Sequence, residues 1–188
     1  MKMKKIADEI ENAINKQCFL PALALTLVIP DVCAQFDYPD ICRKKNEYKG
    51  HKGKGAAYAK WYDICIGDYN VSPKTGIGLL DGWGCWKLRC GFLHNSSIDI
   101  DSDISTENTK TRFRIIFSQY SNFDVGIGGG SSVSFDPLNN EIVVDFDIAT
   151  FCGQILAVLR HSYLSNKEFI DFTEREMLNY TEIKFEEY

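Results

Sequence analysis

Asp81-Gly82-Trp83-Gly84-Cys85-Trp86-Lys87-Leu88-Arg89-Cys90-Gly91-Phe92-Leu93-His94-Asn95 decides how this chain folds, because a capping residue opens it and apolar residues then recur at helical spacing. On a regular helix, Leu79, Trp83, Trp86, Cys90 and Leu93 fall in one stripe about 80° wide. Arg89 lies about 40° outside one edge of that stripe and His94 about 20° outside the other, so the two stand roughly 140° apart. They therefore flank an apolar seam. To share one phosphate, either the helix ends near Gly91 and Asn95 so that His94 swings back, or two copies pack seam to seam. A guanidinium clamps a phosphate through parallel hydrogen bonds, and an imidazole with a reference pKa of about 6.5 exchanges protons with ribose oxygens at neutral pH. The pair is equipment for phosphodiester chemistry; an Arg paired with a carboxylate and a His closing a helix end is the structural alternative.

Toward the N-terminus, Ile6, Ile10, Ala13, Ile14 and Gln17 share one face between charged residues, which predicts an amphipathic helix over 3–18. Pro21 suits the first turn of a second helix, Ala22 to Val28, apolar nearly all round and expected at the centre of the core, with Pro30 and Pro39 marking its end and the following turn. The apolar run 18–29 is shorter than the roughly 20 residues a spanning helix needs, and Asp8, Glu9 and Glu11 stand where a signal peptide is basic, so a buried helix is expected and no membrane. Residues 43–55 form a glycine-spaced basic loop whose cations Arg43, Lys44, Lys45, Lys49, Lys52 and Lys54 could follow a phosphate backbone, with Tyr48 available for stacking. The same loop also reads as a solubilising surface. Ala57, Tyr58, Trp61, Tyr62 and Cys65 then predict a third helix over 56–66.

Beyond Asn95 the pattern changes. Ser and Asp dominate 95–109, and Asp99-Ile100-Asp101-Ser102-Asp103 only mimics a calcium loop: no glycine follows Asp103, and Lys110 stands at the twelfth position, so no metal is expected. Strand-type runs follow at 112–119 and 141–148, with a short one at 133–135 after the flexible stretch Gly126 to Gly130, and they read as an antiparallel meander. Residues 149–164 return to helical spacing through Phe151, Ile155, Val158 and Leu159. The fold class expected is α+β: a mainly helical bundle with a small antiparallel β-meander inserted before the last long helix. One domain is expected over 1–188, the bundle from 1–97 and 148–188 and the β-containing elaboration from 110–148.

The net charge of −5 conceals an asymmetry: residues 1–94 carry 14 Lys/Arg against 10 Asp/Glu, and residues 95–188 carry 7 against 16. A polyanion such as RNA is expected to meet the first half. The 7 cysteines are odd in number and form no C-x-x-C pair, so they read as thiols of a reducing compartment, and a cytoplasmic location is expected. No G-x-S-x-G, H-E-x-x-H or Walker sequence occurs, and no cofactor is expected.

The Arg89-x4-His94 pair, late in a helical bundle, resembles the R-x4-6-H signature of HEPN-domain proteins, many of them metal-independent endoribonucleases of toxin and antiviral defence systems. The resemblance covers residues 1–100; Leu23 to Asp31 and Leu88 to Asn95 also resemble an uncharacterised bacterial group. It implies a HEPN-like bundle of four to five helices and a homodimer through the helix carrying Trp83, Trp86, Cys90 and Leu93. It implies further that both copies contribute Arg and His to a composite cleft. Arg89 would stabilise the scissile phosphate of RNA and His94 would act as general acid or base during 2′-hydroxyl attack. Cys90 departs from the pattern, since many active members carry Asn, Asp or His there. The other expectation is a non-catalytic dimeric RNA-binding or regulatory module with the same bundle.

Overall fold

Met3, Ala7, Ile10 and Ile14 are buried on one face of Lys2–Asn15, which is the first helix, α1. It ends where Gln17 adopts a left-handed φ of 57°, with Gln17 N–H returning to the Ile14 carbonyl and Cys18 N–H to that of Ala13. This is a Schellman-type end, and it turns Gln17 out of the stripe predicted for it. The computed structural model describes residues 2–67, 80–95, 100–106, 109–116, 132–139 and 141–176.

Two helices follow where the sequence reading placed one. Phe19–Thr26 (α2) carries Pro21 in its first turn, and Ile29–Asp37 (α3) carries Pro30 near its start, where a missing N–H leaves no helical bond unmade. Pro30 therefore opens a helix as well as closing one. The run 19–37 is long and apolar enough to cross a membrane by length and composition, and 44% of an 18-residue stretch within it is buried inside the protein. Pro39–Cys42 (α4) is a single turn leading into the basic loop.

The central helix is Lys54–Cys65 (α5), not α2. Ala56, Ala57, Tyr58, Ala59, Trp61 and Tyr62 are all buried on it, whereas Leu20 of α2 is exposed. Three alanines let neighbouring backbones approach, and α5 packs against both α3 and Gly82–Asn95 (α6). Asp81 caps α6 as its sequence position predicts, accepting from Gly84 N–H at 2.7 Å. Its buried face is set by Cys85 and Leu88. Trp83, Trp86 and Cys90 are only half-buried and Leu93 is exposed, so the apolar stripe read from the sequence runs along the edge of the core, with Trp83 and Trp86 packed against it.

The expected α+β class with an antiparallel meander is corrected on two counts. First, the folded body is an all-α bundle: among the described residues every buried hydrophobic side chain lies on a helix or within two residues of a helix end. Second, the strand segments do not form a meander. Ile100–Thr106 (β1), Thr109–Ile116 (β2), Ser132–Asp136 (β3) and Glu141–Asp147 (β4) pair in the order β1-β2-β4-β3, with β2 and β4 parallel and the two outer pairings antiparallel. Alternation of apolar residues marks a strand but carries no information about the direction of its neighbour. β1 lies in the stretch read as an acidic loop, and the Gly126 to Gly130 stretch lies outside the described residues.

Asp147 then caps Ile148–Val158 (α7), accepting from Thr150 N–H at 2.8 Å. The helix continues as a π-helical turn, Leu159–Tyr163, which carries Arg160 and His161. Arg160 pairs with Glu11 of α1 at 2.6 Å, which ties this turn to α1. Lys167–Glu176 (α8) closes the described bundle, with Phe169 buried against Phe36 and Tyr163.

Candidate functional site

Arg89 projects from the edge of the buried face of α6 and is held at two points. Its Nε donates to Asp31 Oδ2 of α3 at 2.9 Å, and its Nη1 lies 3.0 Å from His94 Nε2. α6 is unbroken through both residues, so neither a helix end nor a second copy is needed to bring them together. The angular separation on the helix describes where the Cβ atoms point; the long Arg side chain spans the rest. An Arg has donors only, so the contact requires His94 Nε2 to offer its lone pair, which places the neutral imidazole's proton on Nδ1.

The guanidinium also lies over the Trp86 ring, 5.2 Å from its centre. That ring packs on buried Tyr58 and abuts Gly55, where an added Cβ would come within 2.8 Å of the indole nitrogen. The Arg89 and Asp31 side chains are 21% and 15% exposed, while His94 is exposed, so the imidazole faces solvent from a partly sheltered cation. Burial raises the Asp31 carboxyl above the ordinary carboxylate range against the opposing pull of Arg89. Burial likewise works against the Arg89 cation, but Asp31 outweighs it and the guanidinium is held above its usual value.

The basic loop meets the same face of α6. His51 stacks edge-on against Trp83, ring centres 4.7 Å apart, and Lys54 opens α5 close enough to Asp31 to oppose, with Arg89, the rise of its carboxyl. Asp63 fastens the loop from the other side. It accepts from Tyr48 at 2.8 Å, from Lys49 at 2.9 Å and from Gly82 N–H at 2.6 Å, joining loop, α5 and the start of α6. All six loop cations named from the sequence are exposed, but they are not equivalent. Lys49 is paired with Asp63 and Lys45 lies 3.8 Å from Asp40, whereas Arg43, Lys44, Lys52 and Lys54 show no ion pair among the described residues. Tyr48 does not offer a free ring: its hydroxyl is engaged, and Lys49 and Lys60 lie over it.

Sequence reasoning named Arg89 and His94 and missed Asp31, Asp63, His51 and the Trp86 platform. Asp31 follows Pro30 in the first turn of a helix, but nothing local marks it as the partner of a residue 58 positions away. Among the described residues no group of three or more His, Cys, Asp or Glu is arranged to hold a metal ion. No protein-family model matches the chain, and no curated protein and no solved structure matches it either.

Proposed function

We propose that this protein is a HEPN-like, metal-independent endoribonuclease of the defence or toxin type, and that Arg89 and His94 are its catalytic pair. The observation that carries the reading is the 3.0 Å approach of Arg89 Nη1 to an exposed His94 Nε2. A phosphate seated there would displace the imidazole from the guanidinium and leave Nε2 with a free lone pair beside the ribose. His94 Nε2 takes the proton of the 2′-hydroxyl as the 2′-oxygen bonds to phosphorus. The P–O5′ bond breaks, and the leaving oxygen takes a proton from water. The products are a 2′,3′-cyclic phosphate and a 5′-hydroxyl. Arg89 stabilises the charge that builds on the phosphoryl oxygens. The reading includes cytoplasmic RNA as substrate, the loop cations as its track, and a homodimer through the face of half-buried Trp83, Trp86 and Cys90 with exposed Leu93.

Cleavage of single-stranded RNA in EDTA tests it, with end-group analysis for the cyclic phosphate. His94→Ala and Arg89→Ala are each expected to slow cleavage by about 100-fold or more; equal rates for wild type and His94→Ala remove His94 from the mechanism. The Asp31–Arg89 ion pair supports a second reading, a non-catalytic dimeric RNA-binding or regulatory module. That module would bind RNA in a salt-dependent way and cut none of it.

A further inference from the structure

The geometry points to Asp31 as a positioning residue: its carboxylate holds Arg89 through Nε so that Nη1 faces His94, and it thereby sets which ring nitrogen of His94 carries the proton. The inference rests on the nuclease reading for its catalytic consequence, but its structural half stands on the contacts alone. An Arg side chain on a helix surface is free to occupy many rotamers, and ordering it needs more than one partner. Here the guanidinium is held over the Trp86 ring, 5.2 Å from its centre, and its Nε is fixed by the 2.9 Å bond to Asp31. With both in place, the Nη1 edge is the part of the fork that reaches His94.

Asp31 is suited to this role by where it sits. It lies in the first turn of α3, where the helix dipole favours a carboxylate, and its side chain is largely sheltered from water. It uses one oxygen on one nitrogen, so the remaining guanidinium nitrogens are not consumed by the ion pair itself. An imidazole left to itself carries its proton on either nitrogen. Facing a donor-only cation at Nε2, it must carry the proton on Nδ1, so that RNA meets an imidazole whose Nε2 is already the acceptor, and the phosphate frees that lone pair for the ribose hydroxyl by drawing Arg89 away. Asp31 touches neither the RNA nor the reacting atoms in this scheme; it acts through Arg89.

Nitrogen-15 NMR of the His94 ring tests the structural half without substrate. Wild type is expected to show a bare Nε2 and a protonated Nδ1. Asp31→Ala is expected to move His94 toward the Nε2–H form, and Asp31→Asn, whose amide oxygen still accepts from Arg89, to retain most of the wild-type signature. Where Asp31→Ala fails to fold, Asp31→Leu is read in its place, because it fills the same volume without an acceptor. Cleavage kinetics test the catalytic half: Asp31→Ala is expected to lower kcat by about 10- to 100-fold, by analogy with groups that orient metal-ligating histidines, with KM for RNA nearly unchanged and Asp31→Asn largely restored. An unchanged tautomer in the Ala or Leu variant overturns the inference whatever the nuclease does. A wild type that cuts no RNA overturns the nuclease reading and leaves the tautomer result to decide the role of Asp31.

Discussion

Gly82 packs so closely on Ala59 that a Cβ added to it would strike the Ala59 backbone carbonyl. This approach sets the crossing of α5 and α6, and it brings Gly82 N–H onto Asp63. Everything at the Arg89 site depends on that crossing, since α5 supplies Tyr58 beneath Trp86 and α6 supplies Arg89 and His94.

Gly82→Ala is therefore expected to destabilise the protein by about 2 kcal/mol or more, because backbone cannot yield as a side chain can. Gly153, in the interior of α7, is the control: a Cβ there meets nothing within 4 Å. Gly153→Ala should stabilise by about 0.5–1 kcal/mol through the helix preference alone. Urea unfolding of both variants checks the pair, and a Gly82→Ala protein as stable as wild type contradicts the packing.

RNA affinity should divide the loop cations into two groups. Lys49 and Lys45 have carboxylate partners, so their charge toward a polyanion is partly cancelled. Replacing Arg43, Lys44 or Lys52 by Ala is expected to weaken binding and reduce the slope of affinity against salt by about one counterion each. Lys49→Ala should change the slope less. Equal effects at all positions would mean that the ion pairs open on binding.

Two carboxylates should respond to acid with opposite signs. Burial holds the Asp31 carboxyl above its ordinary value, so the folded state binds more protons than the unfolded state as pH falls from neutral toward the unfolded value near 3.8. The stability of wild type relative to Asp31→Asn should therefore improve as pH falls. The hydrogen bond from Arg160 holds Glu11 below 4.5, so its contribution is present above that pH and lost as pH falls through the lowered value. The gap between wild type and Glu11→Gln should shrink. Unfolding free energies at pH 7, 5 and 4 read both trends.

Thiol reactivity should follow burial. Cys18 is exposed, whereas Cys33, Cys85 and Cys152 are buried, and burial pushes the Cys152 thiol up to about 12 and the half-buried Cys65 up to about 11. Alkylation of the native protein at pH 8, mapped by mass spectrometry, is expected to mark Cys18 first. Cys33, Cys85 and Cys152 should react only after unfolding. Rapid native labelling of Cys85 would place α6 differently against α5.

Helices announced themselves where their spacing was local. The α1 stripe, the Asp81 cap and the run that became α5 all arise from residues a few positions apart, which is the range over which helical geometry acts. The boundary between α2 and α3 was hidden because proline both ends one helix and starts the next. The parallel pairing of β2 with β4 was hidden for a different reason. A strand's own residues state which face is apolar and say nothing about the chain segment that will lie beside it. The stripe of Trp83, Trp86, Cys90 and Leu93 is legible as apolar from its spacing, but which residues of α6 are fully buried is not, and these are Cys85 and Leu88.

That Arg89 and His94 stand close together in a helical segment, downstream of a basic loop, is legible in the sequence alone, because both are matters of short-range order. That they touch, with Arg89 Nη1 3.0 Å from His94 Nε2, follows from the packing of the folded chain. Asp31, Trp86 and His94 converge on Arg89 through contacts set by how α3, α5 and α6 pack, and packing depends on which distant surfaces fit, a property no local spacing encodes.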